Sequence, residues 1–103
     1  MTSESRCVIA IDAGTTGVRS RAVFIDAPSI SSYREFAQHF PQPGWVEHDA
    51  VEIWHTVRDT LVEVVEAVTS DGYEVDAIGI TNQRETVVAL DRRTGTPHGP
   101  AIV

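Results

Sequence analysis

The residues with the clearest chemical potential form a short turn between two apolar runs near the amino end of the chain. The stretch AIDAGTTGVRS, residues 10–20, places Asp12 just before Gly14-Thr15-Thr16-Gly17. A tight turn with glycines at both ends can present successive backbone N–H groups, and the two threonine hydroxyls add further donors. This donor set suits phosphate oxygens. The alternative is a plain hairpin turn with solvated polar side chains, and so short a pattern does not separate the two.

Asp12 and Arg19 would complete such an anion site. A carboxylate repels phosphate directly, so the task that Asp12 can perform is to hold Mg²⁺, mostly through water, because this ion keeps much of its hydration shell. Arg19 can balance negative charge from the far side of the turn.

A second charged pair, Arg84-Glu85, follows the apolar run VDAIGITN at residues 75–82. Each hydroxyl of a polyol both donates and accepts hydrogen bonds. A carboxylate that accepts and a guanidinium that donates can therefore fix two neighbouring hydroxyls. The alternative is a surface ion pair or two solvated side chains, which the adjacency alone favours.

Apolar patterning indicates the elements that must position these residues. Residues 7–11 and 21–26 predict two strands joined by the turn, and residues 32–40 are a candidate third strand after a loop at 27–32.

The second half of the chain predicts one helix followed by strands. Asp49 and Glu52 resemble a capping box, residues 70–72 supply a stop, and Trp54 is expected to pack in the core. The helical stripe comprises Ile53, Val57, Leu61, Val64, Val65 and Val68.

Residues 75–82 predict a buried strand, and residues 85–90 predict a strand that enters a turn at 91–95. Residues 99–103, GPAIV, resemble the start of a further strand, so we expect the chain to be cut from something longer. For Trp45 we expect packing under the proline-rich loop.

Composition excludes several classes of function. Eight basic against 15 acidic residues give a net charge of −7, which argues against binding to nucleic acid or to an anionic membrane. All eight basic residues are arginines, so the lysine of a GxxxxGK[ST] phosphate loop is missing. Cys7 is the single cysteine and is predicted to be a buried apolar residue, and the four histidines lack metal-ligand spacing. We expect a cytoplasmic protein.

Three motifs in the same order resemble one family. The Asp-x-Gly-Thr-Thr turn looks like the first phosphate motif of the actin, hexokinase and heat-shock ATPase superfamily. FPQPGWVEHD at residues 40–49 and AIGITNQRET at residues 77–86 resemble corresponding stretches of glycerol kinases. The chain is therefore similar to the N-terminal segment of a glycerol kinase-like member of the FGGY carbohydrate kinases.

The resemblance implies an α/β, ribonuclease H-like fold of the actin/hexokinase type, with residues 1–103 as an incomplete first domain. It implies ATP and Mg²⁺ as cofactors and glycerol as the substrate that becomes glycerol 3-phosphate, and we expect a homo-oligomer. Arg84 and Glu85 match residues that contact glycerol. The general base of the family comes from much later in the chain, so no catalytic residue is expected in this segment and the segment alone is predicted to be inactive. The residues that the resemblance assigns to nucleotide phosphates are Asp12, Gly14, Thr15, Thr16, Gly17 and Arg19.

The chain departs from the family pattern at two points. Glycerol kinases often read DQGTTSSRA, so Arg19 matches the family arginine by its distance from Asp12, whereas Arg21 matches it by preceding Ala22. We choose Arg19. Gly17 replaces a serine, so any contribution there has to come from the backbone.

Three alternatives stay open. The first is an FGGY kinase for another polyol or sugar. The second is a chaperone-type ATPase, which shares the turn but does not account for PQPGWVEHD or NQRET. The third is a non-catalytic phosphate-binding or interaction module.

Overall fold

The computed structural model describes residues 5–103, which form an α/β arrangement of six strands and one helix. A four-stranded sheet has the order β3-β2-β1-β5, and a small sheet pairs β4 with β6. The α/β class is as predicted. No helix in the described part of the chain is long and apolar enough to cross a bilayer. The elements are β1 (Arg6–Ala13), β2 (Gly17–Phe24), β3 (Ile30–Glu35), β4 (Glu47–His48), α1 (Ala50–Ser70), β5 (Glu74–Asn82) and β6 (Ala101–Ile102).

The first two strands form the predicted hairpin. In β1, residues alternate strictly between buried and exposed, because one face of the sheet packs against α1 and the other faces outward. Pairing of Ala13 with Val18 extends both strands to the turn, so β2 begins four residues earlier than predicted. Cys7 is buried on the helix side, as predicted, and burial raises the pKa of its thiol.

The third strand lies partly in the segment predicted to be a loop. It spans Ile30–Glu35 and pairs antiparallel with β2. Small polar residues are tolerated there because β3 is an edge strand. Ser32 and Arg34 both donate hydrogen bonds to Glu63 of α1, at 3.0 Å each.

The helix begins where its predicted cap lies. Oδ1 of Asp49 accepts from the backbone N–H groups of Val51 and Glu52, at 2.9 and 3.3 Å. A capping box also predicts that the Glu52 carboxylate accepts from the backbone N–H of Asp49. This part of the prediction is wrong, because the Glu52 carboxylate accepts from the N–H of Ala37 instead, at 2.9 Å. At the other end Gly72 has φ 85°, which suits the predicted stop.

The buried face of α1 is rotated relative to the predicted stripe. Val64 and Val68 are fully buried, but the other predicted members are only partly buried, and Thr56 and Thr60 lie in the core instead. The hydroxyls of Ser20 and Thr60 share a buried hydrogen bond of 2.9 Å, which satisfies two polar groups at the centre of the interface.

Both tryptophan predictions are wrong. Trp54 is 58% exposed, because it follows Ile53 and therefore points about 100° away from the core stripe. Trp45 is 54% exposed and lines a cavity of 340 Å³ together with Val46, Ile102 and Val103, rather than packing beneath the loop.

β5 spans Glu74–Asn82 and pairs parallel with β1, which confirms the strand at 75–82. The prediction that it is buried is wrong, since Ile78 and Ile80 are 48% and 72% exposed. The helix packs mainly on β2 and β3 and leaves this edge strand uncovered.

The predicted strand at 85–90 is also wrong. Among the described residues this region makes only isolated bridges, from Val87 to Ile102 and from Leu90 to Pro97. The final apolar run forms the short β6, where Ala101 pairs with His48 of β4.

His48 is fully buried in this junction. Its ring packs edge-on against Phe36 with centroids 4.8 Å apart, and its Nε2 lies 2.7 Å from Oε1 of Gln38. Burial lowers the pKa of His48, and the charge of His39 acts in the same direction. Contact with the Gln83 side chain and the charge of Glu52 oppose this shift with smaller effects. The imidazole is therefore neutral at pH 7.

Gly17 is required by the close approach of β3. A Cβ atom there would lie 2.5 Å from the carbonyl oxygen of Arg34 and 2.6 Å from the hydroxyl of Tyr33. We expect Gly17→Ala to lower the free energy of unfolding by about 1–3 kcal/mol, as measured by urea denaturation, because strand backbone must shift. Gly14→Ala is the matched control, since its Cβ would lie 3.4 Å from the nearest atom. Equal losses in the two variants would contradict this account.

The buried His48 predicts a pH dependence of stability. Its pKa in the folded chain lies below the ordinary value of 6.5, so the unfolded chain takes up a proton first as the pH falls below about 6.5. The contribution of His48 to the free energy of unfolding is therefore constant above that pH. Below it the free energy of unfolding declines, with a slope of at most about 1.4 kcal/mol per pH unit. Urea denaturation between pH 7.5 and 5.0 measures the slope, and His48→Gln is expected to flatten it.

The chosen pH range separates this effect from those of the carboxylates. Glu63 and Asp76 have pKa values lowered by hydrogen bonds to Arg34 and Arg6, so their contributions are lost only below their ordinary values of 4.5 and 3.8. An unchanged slope in His48→Gln would rule out His48 as the source.

Candidate functional site

The topology brings the two predicted segments to one end of the sheet. β1 and β5 run parallel, and their last paired residues are Ala13 and Asn82. The turn at 14–16 and the loop at 83–86 therefore leave the sheet side by side. Nε2 of Gln83 donates to the carbonyl oxygen of Gly14 at 3.3 Å and joins them directly.

Every carbonyl oxygen of the Gly14–Gly17 turn has a donor within the chain. Besides Gln83 on Gly14, Nε2 of Gln38 donates to Thr15 at 2.8 Å. The N–H of Phe36 donates to Thr16 at 3.3 Å, and the N–H of Gly14 donates to Gly17 at 3.0 Å. The acceptors of the turn are thus occupied by protein groups.

The donors of the turn are not occupied in the same way. Within residues 5–103, the backbone N–H groups and hydroxyls of Thr15 and Thr16 make no hydrogen bond, and both side chains are exposed. Each peptide unit is planar, so holding the Gly14 carbonyl fixes the direction of the Thr15 N–H, and holding the Thr15 carbonyl fixes that of Thr16. The turn offers oriented, available donors, as an anion requires.

Asp12 and Arg19 lie next to this turn. They are directly opposed in the β1–β2 register, on the outward face of the sheet. The guanidinium carbon of Arg19 lies 4.8 Å from the centre of the Tyr33 ring, and its Nη1 donates to Ser31 Oγ at 3.2 Å. Arg21 is opposite Ala10, two residues further from the turn.

Asp12 is exposed, and the described residues contain no cluster of three or more side chains that could hold a metal ion. One carboxylate beside a phosphate site fits Mg²⁺, which is commonly held by one or two carboxylates together with phosphate oxygens and water. It does not fit an ion that needs an all-protein cage.

Arg84 and Glu85 are exposed, and neither side chain makes a hydrogen bond or ion pair with residues 5–103. The surface ion pair considered as an alternative does not form. Glu85 has φ 62° and is the non-glycine residue with positive φ in the described chain. Such backbone conformations cost of order 1–3 kcal/mol and concentrate at functional sites. The neighbouring loop is held by a hydrogen bond of 2.7 Å from Thr86 to Gln83.

A cavity of 220 Å³ lies behind this loop, between the ends of β1 and β5 and the start of α1. Its lining includes Ala13, Asn82, Gln83 and Thr86, but not Arg84 or Glu85. The two charged side chains are thus at the surface of the site.

Sequence reasoning assigned no role to Gln38, His48 or Gln83, which support the turn from behind. The three residues are 10 and 35 positions apart, so no local spacing could indicate their contact. The one available signal was a histidine preceding the helix cap Asp49.

Comparison with known proteins identifies the family. The profile of the FGGY family of carbohydrate kinases, N-terminal domain, matches residues 7–103. A glycerol kinase from Shewanella pealeana is 52% identical over 99 residues, which is 93% of this chain and 20% of that protein. This chain spans about a fifth of the length of the curated relatives that it matches.

Solved structures of kinases show the same similarity. A glycerol kinase of Plasmodium falciparum, crystallised with ADP, superposes with a TM-score of 0.84 at 35% identity over 96% of this chain and 20% of that one. A xylulose kinase from Rhodospirillum rubrum superposes with a TM-score of 0.85 at 30% identity over 94% of this chain and 20% of that one. The chain therefore belongs to the FGGY family of carbohydrate kinases, and its sheet and helix form part of the actin- and hexokinase-like fold of that family.

Proposed function

We propose that the protein carrying this segment is a glycerol kinase, which transfers the γ-phosphoryl group of ATP to a terminal hydroxyl of glycerol and forms glycerol 3-phosphate. Residues 1–103 are the first part of its first domain. One observation carries the proposal: available donors of the turn and the unpaired Arg84–Glu85 side chains lie at the same end of the sheet. Glycerol kinases that are about 50% identical to this chain support glycerol as the substrate.

The turn receives the nucleotide phosphates. Thr15 and Thr16 contribute N–H groups and hydroxyls, whereas Gly14 and Gly17 contribute only backbone. Because β3 buries Gly17, its part is chiefly to let the turn lie close to the sheet.

Asp12 and Arg19 help to balance the negative charge of the nucleotide phosphates, Asp12 through Mg²⁺ and Arg19 directly. Mg²⁺, when bound, neutralises charge that develops on the transferred phosphoryl group. Asp12 would hold that ion, mainly through water. Arg19 is chosen over Arg21 because it is opposite Asp12 in the sheet and is held by Tyr33 and Ser31.

Arg84 and Glu85 orient the polyol. The guanidinium donates to hydroxyl oxygens and the carboxylate accepts from hydroxyl hydrogens, so the pair fixes two neighbouring hydroxyls. The left-handed backbone at Glu85 aims the carboxylate away from its ordinary strand direction. Phosphoryl transfer depends mainly on such positioning, because the protein performs little covalent chemistry.

We further propose that the protein is located in the cytoplasm and associates with itself. A single buried cysteine suits a reducing compartment, and the open edge of β5 with its exposed isoleucines suits contact with further protein.

We expect the 103-residue chain alone not to turn over ATP, since the family's general base and most of its adenosine pocket come from later sequence. A coupled assay for ADP production, with and without glycerol, measures this. Glycerol-dependent ADP release by the isolated chain would overturn the division of labour proposed here.

In the full-length protein, we expect Glu85→Gln to raise KM for glycerol by about 10–100-fold, because a hydrogen bond to a charged group contributes about 1.5–3 kcal/mol. KM for ATP should change far less. Steady-state kinetics with each substrate varied in turn make the comparison. Equal effects on both KM values would count against contact with the polyol.

Two controls sharpen this test. Glu66→Gln makes the same chemical change on an exposed part of α1 and should leave both constants unaltered. A panel of glycerol, other polyols and xylulose with the full-length protein separates a glycerol kinase from a kinase of another polyol or of a sugar, such as the xylulose kinase neighbour.

A further inference from the structure

His48 lies behind one of the two amide side chains that hold the turn. Its Nε2 is 2.7 Å from Oε1 of Gln38, and Nε2 of the same Gln38 donates to the Thr15 carbonyl at 2.8 Å. The imidazole is neutral at pH 7, so one ring nitrogen donates and the other accepts. Because the Gln38 oxygen can only accept, the ring proton is on Nε2.

Gln83 holds the preceding carbonyl of the turn. Its side chain donates to the Gly14 carbonyl at 3.3 Å and accepts from Thr86 Oγ1 at 2.7 Å. Nδ1 of His48 is the one buried side-chain polar atom in residues 5–103 without a hydrogen-bond partner. The hydrogen bonds therefore link His48 to the turn through Gln38.

We propose that His48 is a positioning residue for the phosphate site: through Gln38 it fixes the peptide unit that aims the N–H group of Thr16. The inference rests on the proposed function, since it assigns a further residue to the same site. His48 itself does not touch the nucleotide.

The physical basis is that a glutamine amide has an oxygen that accepts hydrogen bonds on one side and an NH₂ group that donates them on the other. A flipped Gln38 would place its oxygen against the Thr15 carbonyl and its NH₂ against the Nε2–H of His48, so both contacts would become repulsive. A neutral imidazole that donates from Nε2 therefore selects the one amide orientation that holds the turn. Peptide planarity then transmits this orientation from the Thr15 carbonyl to the N–H of Thr16.

A phenylalanine would fill the same buried space beside Phe36 without the polar contact to Gln38. The two substitutions His48→Phe and His48→Gln therefore separate packing from positioning, because glutamine can donate to Gln38. In the full-length protein, we expect His48→Phe to lower kcat/KM for ATP by about tenfold, the equivalent of one lost hydrogen bond. KM for glycerol should change little, and His48→Gln should recover most of the loss.

A second readout does not depend on turnover. Amide hydrogen exchange, followed without ligand, should be faster at Gly14, whose N–H closes the turn by donating to the Gly17 carbonyl, in His48→Phe than in the parent and in His48→Gln. Gln38→Met removes the amide at a half-buried position, and it should reproduce both effects if His48→Phe does not fold. His55→Phe makes the same exchange on the exposed side of α1 and should alter neither.

The outcomes distinguish this inference from the proposed function. Parent-like exchange and ATP kinetics in both His48→Phe and Gln38→Met would overturn the inference. Equal losses in His48→Phe and His48→Gln would also overturn it, because they would mark His48 as a packing residue only. Altered exchange at Gly14 in a full-length protein that phosphorylates no polyol would support the positioning role and reject the proposed function.

Discussion

The parallel pairing of β1 with β5 brings the two halves of the site together. Parallel strands end at the same side of a sheet, so the segments that follow Ala13 and Asn82 must emerge together although these residues are 69 positions apart. An antiparallel arrangement would send the loop at 83–86 to the opposite end. The helix α1 is the crossover that makes the parallel pairing possible, and its cap at Asp49 fixes where that crossover starts.

The site has an outer and an inner part. Exposed side chains that lack partners within the described chain form the outer part, where a ligand would bind. Behind them, carbonyl groups of the turn are held by two glutamines and by the backbone of Phe36. This division lets the turn keep one shape while its donors stay free, because the conformational cost is met by contacts that the ligand does not compete for.

Local patterns predicted the hairpin, the helix with its cap at Asp49, and β5, since alternation and capping act over a few residues. Burial was predicted less well. Ile78 and Ile80 look like core residues in sequence, but whether a strand is covered depends on where the helix crosses the sheet. Thr56 and Thr60 look like surface residues, but their hydroxyls bond to the helix backbone and to Ser20. The support of the turn by Gln38, His48 and Gln83 joins distant positions, so no periodicity could indicate it.

Glu85 combines a charged side chain with a backbone conformation that favours glycine or asparagine. Selection for stability alone would therefore favour glycine or asparagine at this position. Retention of an acidic group there among descendant sequences would indicate that the carboxylate is selected for a reason other than the stability of the backbone.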